Sequence, residues 1–164
     1  MRLQAGTSGT SEADEKSRTY IQKRMKTVST NSPEVRGFVK YATLFLLLLN
    51  SVGAFIGSIP MMLDPGGTTS NIPLRYLEHS PFSSFLIPGI VLFVCNGLLS
   101  LAAFLALAFN GRFHGRLVAL QGIVLTGWII VQVIMLRELN FLQISFGLIG
   151  IALFVSGNYL SRFR

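Results

Sequence analysis

The pattern of polar and apolar positions is dominated by four long stretches without a charged residue. They are Tyr41–Leu63, Ser80–Gly111, Leu117–Leu136 and Leu139–Ser161, which contain 23, 32, 20 and 23 residues. A helix needs about 20 apolar residues to cross a hydrocarbon core of about 30 Å, so each stretch is long enough for one crossing. The sequence therefore predicts an all-α protein, an antiparallel four-helix transmembrane bundle with a disordered N-terminal tail.

Turn residues between the stretches refine this organisation. A Pro-Gly turn follows the first stretch, Asn110-Gly111 closes the second, and only four residues join the third to the fourth. The predicted spans are about 41–63, 83–109, 117–136 and 140–160, with an outer loop at 64–82. The membrane domain is predicted at 37–164. Residues 1–36, rich in Ser, Thr, Gly and charge, are predicted to form a disordered basic tail.

Charge predicts the orientation of the spans. The chain has 14 Lys and Arg against 7 Asp and Glu, and the basic residues concentrate in the tail, in the loop with Arg112 and Arg116, and at the C-terminus. Because Lys and Arg near span ends mark the cytoplasmic side, both termini are predicted in the cytoplasm. Topology accounts for the net charge of +7, so no nucleic-acid partner is expected. Whether the tail also binds anionic lipid stays open.

Each predicted span has one face enriched in small or amide residues, which should point into the bundle because lipid cannot satisfy an amide. These faces are Asn50, Gly53 and Gly57; Asn96, Ser100 and Ala103; Gln121, Leu125, Trp128 and Gln132; and Gln143, Gly147, Gly150, Phe154 and Gly157.

Depth along the spans predicts which amides meet. Asn50 and Asn96 fall near mid-membrane, whereas Gln132 and Gln143 lie a turn inside the last loop, so a hydrogen bond is predicted within each pair. With Gln121, these amides form either packing contacts or a polar pathway through the bundle. Packing is favoured, because transport and proton-relay sites usually contain ionisable groups within the membrane, and the uncharged stretches contain no Asp, Glu, Lys or Arg, with His79 and His114 lying outside them.

The predicted outer loop contains most of the reactive groups, with Arg75, Glu78 and His79 as its candidate functional residues. An enzyme would use His79 as a general base, but Glu78 is its direct neighbour, and adjacent residues do not face each other on a helix. Cys95 alone makes neither an intramolecular disulfide nor a zinc site. We therefore expect no catalytic residue, no metal site and no cofactor.

The segment from Pro73 to Gly89 contains the pattern PL-x-Y-L-x-x-SPF-x-x-F-LIPG. It resembles the first outer loop of small four-span bacterial membrane proteins that have no assigned function. The resemblance covers this loop and about half of the second span. It implies four helices and a bacterial cytoplasmic membrane, and it implies no activity.

Two functions are compatible with these observations. The first is a non-enzymatic multi-pass protein of the cell membrane, an accessory or interaction protein whose partners are the lipid bilayer and either another membrane protein or copies of itself. The alternative is a small-molecule transporter or channel that acts as an oligomer.

Overall fold

Four long helices make up most of the described structure. The computed structural model describes residues 14–22, 32–67, 77, 82–137 and 139–162. The helices are α1 (Pro33–Leu63), α2 (Leu86–Ala108), α3 (His114–Leu136) and α4 (Phe141–Ser161), and each is long and apolar enough to cross a membrane. No strand occurs within these described ranges. The predicted all-α four-helix fold is confirmed, while the antiparallel order of all four helices stays a prediction.

The chain divides into two compact units, Met1–Phe38 and Val39–Arg164. In the first unit, residues 14–22 are helical, and Asp14 pairs with Arg18 at 3.3 Å on the exposed helix surface. This helix lies inside the range for which disorder was predicted. The prediction rested on average composition, which does not register a local turn supported by an i,i+4 ion pair.

Helix α1 begins well before the predicted start of the first span at residue 41. The Val35 N–H donates to Ser32 Oγ at 3.4 Å, so Ser32 serves as an N-cap and Pro33 occupies the first helical position. An uncharged stretch marks only the part of a helix that lipid can surround. The helix itself continues through the charged residues before Tyr41.

Helix α2 changes its winding in the middle. Leu86–Val91 and Leu99–Ala108 are α-helical, whereas Leu92–Leu98 between them is π-helical, with the Leu99 N–H bonded to the Val94 carbonyl five residues back. A π segment inserts an extra residue into the helical turn. The side chains beyond it therefore point in different directions from those they would have in an unbroken α-helix. This π segment was not predicted from the sequence.

The two ends of the four-helix unit have different characters. One end, here called the basic end, contains Arg112 in the α2–α3 connection and Arg116 in the first turn of α3. Lys40 Nζ donates there to Asn110 Oδ1 at 2.7 Å. The other, here the hairpin end, contains the α3–α4 connection and the turn at 64–67. A cluster of buried apolar side chains packs together, mostly toward the basic end: Leu47, Ala103, Leu107, Val118, Leu125, Leu153 and Leu160.

Helices α3 and α4 approach each other through glycine. A Cβ on Gly115 would lie 2.7 Å from Ser161 N, and one on Gly157 would lie 2.8 Å from the Gly115 carbonyl oxygen. A Cβ on Gly122 or Gly150 would also overlap the opposite helix. We call these four glycines the glycine seam. Within each helix they are seven residues apart, about two turns, so they share a face.

The hairpin end is closed by two short turns. Arg137 adopts a left-handed conformation with φ 52° after α3, and Asn140 is the N-cap of α4. In the other turn, the Gly67 N–H donates to the Asp64 carbonyl at 3.0 Å, and the Phe85 N–H donates to the Pro65 carbonyl at 2.9 Å. The second bond fixes the start of α2 against the chain that leaves α1.

Candidate functional site

Amide and hydroxyl groups join α1 to the π segment of α2. Asn50 Nδ2 donates to Ser100 Oγ at 3.2 Å and to the Asn96 carbonyl oxygen at 3.4 Å. Ser51 Oγ donates to the Gly97 carbonyl at 3.0 Å, and Ser100 Oγ donates to the Leu47 carbonyl at 3.0 Å. We call this network the polar seam.

The predicted hydrogen bond between Asn50 and Asn96 is therefore present, but it reaches the Asn96 backbone rather than its side chain. Asn50, Ser100 and Asn96 are all fully or almost fully buried. The side chain of Asn96 instead points toward α3, where its Oδ1 accepts from Gln121 Nε2 at 3.5 Å. Asn96 therefore bonds to α1 through its carbonyl oxygen and to α3 through its side chain.

The Asn96–Gln121 pair is only half satisfied. Asn96 Nδ2 and Gln121 Oε1 are buried and have no hydrogen-bond partner among the described residues. A buried polar group without a partner costs about 1–3 kcal/mol in water-soluble proteins. Two such groups beside the π segment therefore mark a polar position near the centre of the bundle.

The prediction that Gln132 and Gln143 bond to each other is wrong in the described structure. Gln143 Oε1 accepts the Asn140 N–H at 3.0 Å, as part of a capping box at the start of α4. A glutamine at the third helical position reaches back to its own N-cap, and this local bond takes the place of the cross-helix one. The side chain of Gln132 makes no hydrogen bond to any residue that the structure describes.

A partly open, uncharged cavity of about 350 Å³ lies between the helices toward the hairpin end. Its wall includes Asn50 and Ala54 from α1, Leu92 from α2, and Leu125 and Ile129 from α3. Helix α4 completes the wall, chiefly with the ring of Phe146. None of the described residues that line the cavity is ionisable. The volume is within the range of about 300–1,000 Å³ that is typical of small-molecule sites.

Trp128 and Gln132 give this cavity its polar character. Both line it, and the Trp128 Nε1–H is buried without a partner in the described part of the chain. An indole N–H can only donate a hydrogen bond, whereas an amide both donates and accepts. The cavity therefore presents apolar walls and a small group of unused hydrogen-bonding atoms.

The remaining candidate residues of the sequence lie elsewhere. Arg75, Glu78 and His79 fall outside the described residues, as does most of the PL-x-Y-L pattern. Within the described ranges, no three His, Cys, Asp or Glu residues group as metal ligands. Cys95 is a half-buried free thiol in the π segment.

The predicted inward faces are correct in part. Asn50, Asn96, Ser100, Gln121 and Gln143 are buried. Phe154 instead exposes 42% of its surface, because the close α3–α4 contact turns Leu153 inward. Sequence reasoning missed Gly115 and Gly122 altogether, although their seven-residue spacing was a visible signal.

Comparisons with family models, with curated proteins and with solved structures found no match. The fold and the four candidate spans define a membrane protein. Its role has to be argued from the cavity and the seams around it.

Proposed function

We propose that the chain is a multi-pass membrane protein that acts by binding, as a non-enzymatic accessory or interaction protein. The observation that carries this proposal is the uncharged interhelical cavity, with the unused N–H of Trp128 in its wall. Mostly apolar walls with few polar groups suit recognition of a neutral molecule. Ion and proton pathways use ionisable groups within the membrane. The polar groups that line this cavity are amides and an indole, which do not ionise.

The location that we propose is the cytoplasmic membrane of a bacterial cell, with both termini in the cytoplasm. Lys40, Arg112 and Arg116 support this orientation, because all three belong to the basic end and positive charge is retained on the cytoplasmic side. A reporter enzyme that works only in the cytoplasm should be active when it is fused after Arg164. Activity of a reporter enzyme that works only outside the cytoplasm would show that the orientation is the opposite one.

A transporter or channel built from several copies is the second candidate. The same cavity favours it, because an interhelical volume can also hold a molecule in transit. Toward the basic end, however, Leu47, Leu107 and Leu153 are fully buried in a packed core. Passage would require this core to rearrange or a pathway to form between copies, so binding is the simpler use of the cavity.

Native mass spectrometry of the protein released from lipid nanodiscs tests the proposal. We expect a small-molecule adduct on each copy, with or without a partner chain. Ala54→Phe should fill the cavity and remove the adduct, because Ala54 is 5% exposed and lines the cavity. Ile56→Phe is the matched control on the same helix, since Ile56 is 69% exposed.

Two results would contradict binding as the function. A wild-type protein without any adduct or partner would remove the proposal. A uniform ring of bare copies that conducts ions across a planar bilayer would instead establish the channel.

A further inference from the structure

We propose that the cavity binds an uncharged amphiphile whose carbonyl oxygen accepts the hydrogen bond of Trp128 and whose apolar chain occupies the space between the helices. This inference rests on the binding function proposed above and names the chemical class of the ligand. It is carried by the juxtaposition of one buried, unpartnered donor with walls that are uncharged and mostly apolar.

The position of Trp128 supports a polar group at the middle of the ligand site. A second cavity of about 290 Å³ adjoins the first, and Trp128 and Gln132 line both. The second is otherwise walled by side chains such as Leu77, Phe85 and Met135. The unused hydrogen-bonding atoms therefore form a waist between two apolar spaces, which matches a molecule with a polar group next to a chain.

The donor at this waist selects an acceptor on the ligand. The Trp128 Nε1–H can only donate, so an oxygen without a hydrogen of its own satisfies it. The amide of Gln132 also has no described partner, and its NH₂ can donate to the same oxygen or to its neighbour. A carbonyl oxygen has two lone pairs and can accept both bonds.

The walls argue against a charged ligand and against water as the only occupant. No described lining residue is ionisable, and a buried charge without a partner is strongly unfavourable. An ordered water needs two to four polar partners. Trp128 and Gln132 could hold one, but the volume beside Leu92, Leu125 and Phe146 offers water only hydrocarbon. At the far end of the first cavity, the Asn50 amide already donates to the polar seam, so a chain can lie there.

A carbonyl next to an apolar chain occurs both in acylglycerols of the bilayer and in membrane quinones, and the probes separate these sources. Trp128 is the single tryptophan of the chain, so its fluorescence reports directly on the cavity. In nanodiscs, we expect dibrominated monooleoylglycerol to quench this fluorescence with a saturable component at low mole fraction. Dibrominated oleate, which is anionic at neutral pH, should quench only in proportion to its concentration in the bulk lipid.

Competition then identifies the source of the carbonyl. If unlabelled monooleoylglycerol displaces the brominated probe and decylubiquinone does not, the site binds an acylglycerol. If decylubiquinone displaces the same probe and monooleoylglycerol does not, the site binds a quinone. Native mass spectrometry of the wild-type protein is the readout for this competition. Equal, unsaturable quenching by the neutral and the anionic probe would overturn the inference.

Trp128→Phe tests the hydrogen bond itself, with retention of monooleoylglycerol in native mass spectrometry as the readout. Removal of the N–H should weaken retention about five- to tenfold, while retention of hexadecane, which has no acceptor, should stay within twofold. Gln132→Leu provides a second variant with a similar effect if Trp128→Phe does not fold. Asn158→Leu is the matched control, because Asn158 is an exposed amide that donates only to the Phe154 carbonyl of its own helix.

Two outcomes separate this inference from the function on which it rests. If an adduct is present but neither carbonyl probe displaces it, the ligand class is wrong and the binding function stands. If Ala54→Phe leaves the adduct unchanged, the adduct lies elsewhere and both proposals fail.

Discussion

Helices α1 and α2 meet by a different physical means from α3 and α4. The polar seam joins α1 to α2 through side-chain amides and hydroxyls that reach backbone carbonyls of the opposite helix. The glycine seam joins α3 to α4 by backbone approach so close that a single Cβ would overlap the neighbouring chain. Both devices solve the same problem, because lipid removes most of the hydrophobic drive for helices to associate.

The difference between the seams shows where the bundle can hold a ligand. Backbone contact at Gly122 and Gly157 leaves no space between α3 and α4 at those levels. The polar seam keeps α1 and α2 in register through a few directional bonds, and the cavity opens on the hairpin side of Asn50. The glycine seam between α3 and α4 and the polar seam between α1 and α2 thus lie on two sides of the site.

The largest expected effect comes from a side chain placed in the glycine seam. Gly122→Leu should destabilise the four-helix unit by about 3 kcal/mol, because the added atoms meet the backbone of Gly150 and Phe154, which cannot rotate away. The measurement is the free energy of unfolding in mixed micelles titrated with SDS.

Gly127→Leu is the control for this substitution. Gly127 lies on the same helix, and a Cβ there has no neighbouring atom within 4 Å. It should change the unfolding free energy by no more than about 0.5 kcal/mol. Similar losses for the two variants would mean that a large side chain anywhere on α3, rather than overlap in the seam, explains the effect. Helix propensity favours Leu over Gly and cannot explain a loss.

A smaller loss is expected in the polar seam. Asn50→Leu keeps the number and branching of the side-chain heavy atoms but removes both bonds to α2. Double-mutant cycles in a membrane protein give about 0.6 kcal/mol per bond, with a maximum near 1.7. We expect a loss of about 1 kcal/mol in the same SDS titration. Asn158→Leu, which removes an exposed amide from α4, should have a smaller effect; a loss greater than that of Asn50→Leu would contradict the comparison.

The sequence predicts the four long apolar helices and the inward position of the mid-membrane amides, because both depend on hydropathy and helical period alone. It does not predict which neighbour each face meets. Helix α3 has two inward faces, one with Gln121 toward α2 and one with Gly122 toward α4. A single amide-rich face was expected, so the glycine face was overlooked.

The departures at α1, α2 and α4 have local causes that hydropathy does not record. Ser32 caps α1 in a charged region, the π segment shifts the face of α2 within an uninterrupted apolar stretch, and Gln143 prefers its own N-cap. Each depends on the geometry of one helical turn. The position of a cavity depends on the packing of all four helices. The sequence therefore predicted amides that line the site, but it did not predict where the cavity lies.

The smallest expected effect distinguishes a side-chain contact from a backbone contact within the polar seam. A double-mutant cycle between Asn50→Leu and Ser100→Ala should show a coupling of about 0.6 kcal/mol, because Asn50 Nδ2 donates to Ser100 Oγ. The cycle between Asn50→Leu and Asn96→Leu should show almost none, since Asn50 reaches only the Asn96 carbonyl, which the second substitution retains. Larger coupling with Asn96 than with Ser100 would show that the two asparagine side chains meet after all, and that the π segment does not turn the Asn96 amide toward Gln121.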